Sequence, residues 1–371
     1  MLALLPTLLM INQLAWAETP PLGLPVLPVP VGNPITEEKV TLGRKLFFDR
    51  RLSFNGTLSC GMCHIPEQGF TQSELKTPVG VEGRFIKRNA PSLYNVAYRI
   101  TLFHDGREDS LENQIWQPLL RRNEMANPSI GFVLSTIKGA ADYDGLFEAA
   151  FNQAVAMESV GKALASYQRS LVSANSPFDR WYYSGDQRAM SESEVRGFAL
   201  FQEKACISCH TIGPKSALFS DGLFHDTGVG FYQTMHDPDT AMAKIRLAPG
   251  VEVIPKILFQ RPVVSDLGRY EATGHASDRW LYRTPSLRNV AFTAPYMHNG
   301  SLPDLQSVVE FYNRGTIPHT GLDSRLKPLG LSNGQVQDLV DFLHAITGSN
   351  IDQLRDDARS TAIGNPQTHL P

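Results

Sequence analysis

Residues 59–70 read SCGMCHIPEQGF, and the rest of the chain has to be organised around this stretch. Cys60 and Cys63 stand two residues apart, and His64 follows at once. The chain has 4 cysteines, and the other two repeat the arrangement in ACISCH, as Cys206, Cys209 and His210. Four cysteines can form two disulfides, a redox pair or half of a zinc site. A histidine directly behind each pair argues against all three. Cys-x-x-Cys-His is the attachment signature of c-type haem, in which two thioethers hold the porphyrin edge and the adjacent imidazole reaches the iron. Zinc would need two further ligands close by, and neither motif has them. The motifs therefore imply two covalently bound haem c groups, with His64 serving the first iron and His210 the second. Function then turns on the opposite face of each iron.

Composition sets the frame for this chemistry. The chain has 371 residues, enough for two cores, with 42% hydrophobic and 19% charged residues, as in a globular protein. A net charge of −3 gives no electrostatic basis for binding nucleic acid or a membrane surface. Residues 1–17, MLALLPTLLMINQLAWA, are apolar and end in the small-x-small sequence Ala15-Trp16-Ala17. They read as a secretory signal cleaved after Ala17, although no positive residue precedes the apolar run. Export to the periplasm suits covalent haem attachment. Residues 18–34 are proline-rich and read as an extended leader with no core of its own. Beyond residue 17 no apolar run is long enough to span a bilayer.

The chain is also written twice. RNAPSLYNVAYRITLFHDGREDSLENQ (88–114) matches YRTPSLRNVAFTAPYMHNGSLPDLQS (282–307) at a constant offset of 194 residues. Pro91 meets Pro285, Asn95 meets Asn289, His104 meets His298, Gly106 meets Gly300 and Leu111 meets Leu305. LGRKLFFD before the first motif has its counterpart in VRGFALFQ before the second. Helical spacing of apolar residues predicts helices over 36–48, 128–137, 160–171, 192–201, 302–312 and 333–346. No run alternates as a strand would. The expected fold is all-α: two cytochrome c-like domains, residues 35–180 and 181–350, followed by a tail over 351–371. The insertion over 212–280 shows little periodicity.

No methionine or histidine lies between residues 65 and 103, so the first iron has no second strong ligand nearby. An open iron activates small oxidants, and peroxide cleavage then needs a proton shuttle. In the segment over 110–128, Gln114 and Glu124 are polar residues among apolar ones and are candidates, though a residue of this kind is more often a surface residue. For the second iron, Tyr312 ends an amphipathic helix, where a tyrosine is usually a core residue. Met235, Met242 and Met297 compete with it by residue type, and spacing does not choose between them.

LGRKLFFDRRLSFNGTLSCGMCH, RNAPSL, FHDGR…LENQ…P…NEM, TPSLRNVAFTAPYMHNG and EFYNRG together resemble the bacterial di-haem cytochrome c peroxidases, and within them the MauG type. The resemblance covers nearly all of the mature chain. It implies Glu124 as the acid–base of a peroxide pocket, with Gln114 as hydrogen-bonding partner and Pro118 in the lining. Where di-haem peroxidases carry an axial methionine in V-E-x-M, this chain has Val309-Glu310-Phe311-Tyr312, so the resemblance makes Tyr312 the distal ligand of the second iron. It also implies a calcium ion between the haems, held by the Asn89 side chain and by carbonyls of Thr293 and Pro295.

Two departures stand out: His104 takes the place of an inter-haem tryptophan, as a spacer or haem contact, and Lys204 that of a surface tryptophan. The implied activity is oxidation of residues of a partner protein by a peroxide-oxidised di-haem centre, for which precursor methylamine dehydrogenase is the family's example. The alternative is reduction of hydrogen peroxide with electrons from a small cytochrome c or cupredoxin. A simple electron carrier would need both irons closed.

Overall fold

The structure, a computed structural model, describes residues 20–236, 245–248, 251–253 and 266–361. The expected signal over 1–17 and Met242 lie outside them. The first half contains α1 (Glu37–Phe48), α2 (Leu111–Gln114), α3 (Trp116–Leu120), α4 (Ile130–Lys138), α5 (Leu146–Phe151) and α6 (Met157–Ser170). The second contains α7 (Pro177–Ser184), α8 (Glu192–Glu203), α9 (Val229–His236), α10 (Tyr270–Thr273), α11 (Leu305–Asn313), α12 (Asn333–Ala345) and α13 (Ile351–Arg359). All six expected helices are present. Their starts follow from side-chain caps: Thr36 accepts from the Lys39 N–H, and Ser191 and Ser332 open reciprocal capping boxes with Glu194 and Gln335.

The protein is helical but has a few short strands, which qualifies the all-α expectation. β1 (Phe224–His225) pairs antiparallel with β4 (Tyr282–Arg283), and β2 (Ile245–Ala248) with β3 (Val251–Val253). They lie in or border the insertion, where segments of two to four residues are too short to show alternation.

Among the described residues there are two large hydrophobic cores and a small third cluster of Val96, Leu102, Leu111 and Ala165. One large core gathers Leu46, Phe47, Phe70, Leu119, Val133, Leu164 and Tyr167; the other gathers Phe178, Phe198, Phe201, Phe219, Leu339 and Phe342. Each is organised by one crossing, α1 on α6 and α8 on α12. Both crossings are close because a glycine sits at the contact. A Cβ on Gly43 would run into the Ala163 carbonyl, and one on Gly197 into the Asp338 carbonyl. Phe47 and Phe201 stand four residues further along, each aimed at its motif histidine.

Both ends of the described chain pack on the rest of the protein. The segment over 351–371 begins as α13, whose Ile351 and Ala358 are buried in the first core, so the chain returns to its first half. The leader is extended, as its prolines dictate, but it is pinned down. Leu24 and Leu27 are buried, Gly23 O accepts from the Arg288 guanidinium, and Asn33 Nδ2 donates to Glu112 Oε1 at 2.8 Å. Among the described residues no helix is long and apolar enough to cross a membrane.

Candidate active site

Both motifs fold as a 3₁₀ turn, Cys60–Met62 and Cys206–Ser208, and both place the histidine in the same setting. His64 Nδ1 lies 2.9 Å from Phe70 O, and His210 Nδ1 lies 2.9 Å from Phe219 O. Phe70 and Phe219 adopt positive φ, 52° and 51°, which turns their carbonyls inward. Donation from Nδ1 fixes the tautomer and leaves Nε2 with a lone pair for a metal. Burial pushes the His64 imidazole down to about 4, against the pull of the Phe70 carbonyl, and lowers His210 for the same reason. Both rings are therefore neutral at pH 7, as a ligand must be. Phe47 and Phe201 support them at the same centroid distance, 6.4 Å.

The four thiols are not disulfide-bonded. Burial raises Cys60 to about 12 and Cys63 and Cys206 to about 11, so none of these three is a reactive thiolate. Among the described residues one group of three metal-ligand types comes together, Cys209 with Asp221 and His225. It uses a thiol of the second motif, so it is no separate metal centre once that thiol carries haem.

The opposite faces differ. At the first motif Glu124 sits close enough to Cys60 and Cys63 for its charge to raise both thiols. Its loop is tied by backbone: Val81 N–H donates to Glu124 O at 2.9 Å, Met125 N–H to Pro118 O at 3.1 Å, and Phe54 N–H to Met125 O at 2.9 Å. Burial raises the Glu124 carboxyl, and the charges of Arg121 and Arg107 only partly oppose this. A carboxyl so placed holds its proton to higher pH than a free one and can pass it on. Gln114 is half-buried at the end of α2, and its side chain hydrogen-bonds to no described residue. Pro118 lies within α3. It has no N–H to give the Gln114 carbonyl, which is why the helix breaks into α2 and α3.

At the second motif the Tyr312 phenol lies near Cys206 and Cys209, whose charges, after burial, raise its pKa well above the ordinary value. Met235 is 60% exposed, which removes it as a ligand candidate. Met297 has φ 71° in the turn closed by the Tyr296–Leu302 bridge.

The comparisons with known proteins follow the same lines. A family model described as di-haem cytochrome c peroxidase matches residues 37–188, and one described as RoxA-like, cytochrome c-like, matches 281–317. The methylamine utilization protein MauG of Methylophilus methylotrophus is 33% identical over 356 residues, covering 94% of this chain and 95% of its own. The chain belongs to the di-haem cytochrome c peroxidase/MauG family. Cytochrome-c peroxidase IdrP1 of Pseudomonas sp. (strain SCT) is 37% identical over 89% of this chain and 86% of its own. The crystal structure of a MauG-like protein associated with microbial copper homeostasis superposes with TM-score 0.73 at 30% identity, covering 91% of this chain and 97% of that one. This chain is thus a haem-dependent oxidoreductase of the di-haem peroxidase type, and its family implies haem c cofactors.

Within that family, this member's segments between the two motifs have their own chemistry. His104 Nε2 lies 2.9 Å from Asn89 O, and burial lowers the ring to about 4, so the ring is neutral and hydrogen-bonds backbone. Its repeat mate His298 stacks on Tyr282 with centroids 3.6 Å apart. Asn89 Nδ2 donates to Pro295 O at 2.6 Å, while Asn89 Oδ1 is buried without a partner. An orphaned amide oxygen beside a carbonyl is a donor set that suits calcium. The Thr293 hydroxyl is used on Val290 O, which leaves only its carbonyl for a cation. Lys204 caps the end of α8 and pairs with Glu203 at 2.9 Å. Arg107, quoted in the DGR motif but given no role, lies near Glu124 and is held by Asp105 at 2.9 Å and Gln117 at 2.8 Å. An arginine two positions from an aspartate reads as a surface pair, so nothing in the sequence singled it out.

Proposed function

We propose that this chain is a periplasmic di-haem c oxidoreductase of the MauG type, which reacts with hydrogen peroxide and withdraws electrons from residues of a partner protein. The observation that carries this reading is Tyr312, a half-buried tyrosine whose phenol lies near the thiols of the second motif. A phenolate is a hard anionic donor that stabilises Fe(III) and higher states, whereas methionine raises the potential. When bound, the haems supply two irons that store oxidising equivalents between them.

Every other role falls to the polypeptide. His64 and His210 present Nε2 from rings locked by the Phe70 and Phe219 carbonyls. Glu124 takes and returns the proton that peroxide cleavage requires, on a loop fixed by its own backbone. Pro118 lines the pocket without offering a ligand atom, and Gln114 flanks it. His104 fills the space between the halves. Asn89, with the carbonyls of Thr293 and Pro295, would hold a calcium ion there. The two cores read as duplicated cytochrome c-like domains close to the expected 35–180 and 181–350, except that Phe178 of α7 belongs to the second core and α13 packs on the first. Precursor methylamine dehydrogenase is the partner example that the family resemblance implies, and the relatives named for methylamine utilization support it.

The second reading, a peroxidase fed by a small cytochrome c or cupredoxin, is favoured by Lys204 and by the IdrP1 relative, which is named a cytochrome-c peroxidase. Intact-mass analysis of the exported protein should first show two attached haems. One equivalent of peroxide added to the diferric protein should then give a long-lived oxidised spectrum, absent from Tyr312→Met at equal haem content. Persistence of that spectrum in Tyr312→Met removes the ligand role. Rapid turnover of a reduced small cytochrome, with no long-lived state, selects the second reading.

A further inference from the structure

A guanidinium taken out of water needs an anion, because desolvating an unpaired charge costs several kcal/mol even after relaxation. Most buried arginines of this protein have one. Arg51 pairs with Asp49, Arg88 with Asp105 and Asp266, Arg169 with Glu112, and Arg288 with Asp179.

Arg99 and Arg283 are the exceptions. Neither has a carboxylate within ion-pair reach among the described residues. Arg283 is 8% exposed and donates only to backbone carbonyls, Phe103 O at 3.2 Å and Thr284 O at 3.4 Å. Arg99 donates to Ser92 O at 2.6 Å, and its Nε is buried without a partner. Burial, and then the charge of Arg283, pushes Arg99 down to about 9; burial alone pushes Arg283 down to about 10. These are the shifts expected of two cations facing each other with their counter-charge missing.

Both side chains line one cavity of about 100 Å³, together with Asn95, Tyr98, Ser220 and Ser286. Asp221 also borders it, but that carboxylate is engaged by His225 at 2.8 Å and by the Leu223 N–H at 2.9 Å. The cavity lies between the two histidine motifs. The charge of Arg99 is felt by His64. Ser220 adjoins Phe219, whose carbonyl holds His210. An anion entering this space meets two guanidinium forks, hydroxyls and an amide, which is a setting for carboxylate oxygens.

We propose that Arg99 and Arg283 are the counter-ions of haem propionate carboxylates, received in this cavity where the two halves meet. Haem c carries its propionates on the edge away from its thioethers, so a carboxylate can reach the cavity while Cys60, Cys63, Cys206 and Cys209 hold the other edge. The inference rests on the two haems of the proposed function. It also deepens that function, since one pair of cations beside the carboxylates of both cofactors couples their charge states.

The test uses the matured holoprotein, with two haems established by intact mass, so a failure of haem attachment is seen separately. Arg99→Gln and Arg283→Gln are each titrated potentiometrically by optical spectroscopy, which resolves the two haems. Loss of a buried cation should lower the midpoint of the haem whose propionate it holds, and the variant that shifts identifies which haem supplies the carboxylate. Arg→Lys, which keeps the charge, should restore most of the shift. Where a glutamine variant does not mature, resonance Raman of the lysine variants should show displaced propionate bending modes, because a point charge replaces a two-pronged fork. Unaltered midpoints of both haems in both glutamine variants, or unaltered propionate modes in the lysine variants, overturn the assignment.

Discussion

Glu124→Gln should slow the peroxide reaction and stabilise the fold at the same time. The Glu124 side chain is 20% exposed, and its nearest cation, Arg121 Nε, is 3.9 Å away, too far for a strong pair. Burial therefore outweighs the arginines and raises the carboxyl above its ordinary 4.5. Glutamine has the same shape, and the loop is held by backbone hydrogen bonds that it keeps. What disappears is proton transfer, worth roughly 10²–10⁴ in rate, or about 2.7–5.4 kcal/mol of barrier at about 1.36 kcal/mol per decade. In the unmodified protein the rate should rise with pH through the raised pKa, because the base is the ionised form.

Stability should run the other way. Between 4.5 and the raised pKa the folded protein keeps a proton that the unfolded chain has lost, so stability falls as pH rises through that window. The glutamine variant lacks this loss. It should be more stable than the parent at pH 7 and level with it at pH 4. Stopped-flow mixing with peroxide and urea unfolding of the same samples measure both quantities. A glutamine variant that reacts within tenfold of the parent would falsify the proton-transfer role. A slow variant that is also less stable at pH 7 would show that the rate was lost through misfolding.

Further tests address the scaffold and the ion. Gly43→Val or Gly197→Val puts a side chain into the carbonyl of the facing helix and should cost about 1–3 kcal/mol in urea unfolding; unchanged midpoints would mean that the crossings are not close. Glu112 is held down to about 2 by the Arg169 and Asn33 hydrogen bonds, which overcome the opposing effect of burial. Its contribution is present above the unfolded pKa and is lost as pH falls from about 4.5 to about 2. Glu112→Gln should therefore lower stability by about 2–3 kcal/mol at pH 7, at about 1.36 kcal/mol per pKa unit, and by little at pH 2. If Asn89 helps to hold calcium, chelation should alter the haem spectra of the parent and leave those of Asn89→Ala unchanged. Equal responses would place the ion elsewhere or dispense with it.

The parts of this protein that local rules specify were legible in the sequence. Six helices announced themselves through apolar spacing and capping residues. The repeat predicted that Asn95 and Asn289 would be equivalent, and both adopt positive φ, 58° and 61°. Each donates its N–H to the end of the long helix of its own half, Asn95 to Leu171 O and Asn289 to Ile346 O. What stayed hidden depends on contacts far apart in the chain. α13 shows only two well-buried residues, Ile351 and Ala358, too few to announce a helix that docks on the first core. The leader's attachment runs through Gly23 O and Asn33, a carbonyl and an amide that carry no hydrophobic signal. Arg99 and Arg283 read as ordinary charges until burial left them without partners. The Gln114 role came from resemblance alone, and no described contact engages that side chain.

The same offset that relates the halves also accounts for their chemical difference. On the proximal side the repeat is faithful: Phe70 and Phe219 turn their carbonyls to His64 and His210 at one distance, 2.9 Å, from one unusual backbone conformation. On the distal side the offset of 194 residues that pairs Leu111 with Leu305 carries Pro118 onto Tyr312. In the second half that position lies on the unbroken helix α11 and bears a phenol near the motif cysteines. In the first half it bears a ring with no ligand atom and no N–H, in a helix broken into α2 and α3. The break lets the chain turn back after Leu120, which brings Glu124 toward Cys60 and Cys63. One substitution thus does two things in the first half: it withholds a ligand and admits a carboxyl. Replacing Pro118 with tyrosine should convert the reactive site toward the closed one. The expected result is loss of the high-spin signal and of peroxide reactivity with both haems retained. A high-spin, reactive Pro118→Tyr protein would mean that the openness of the first site has another cause.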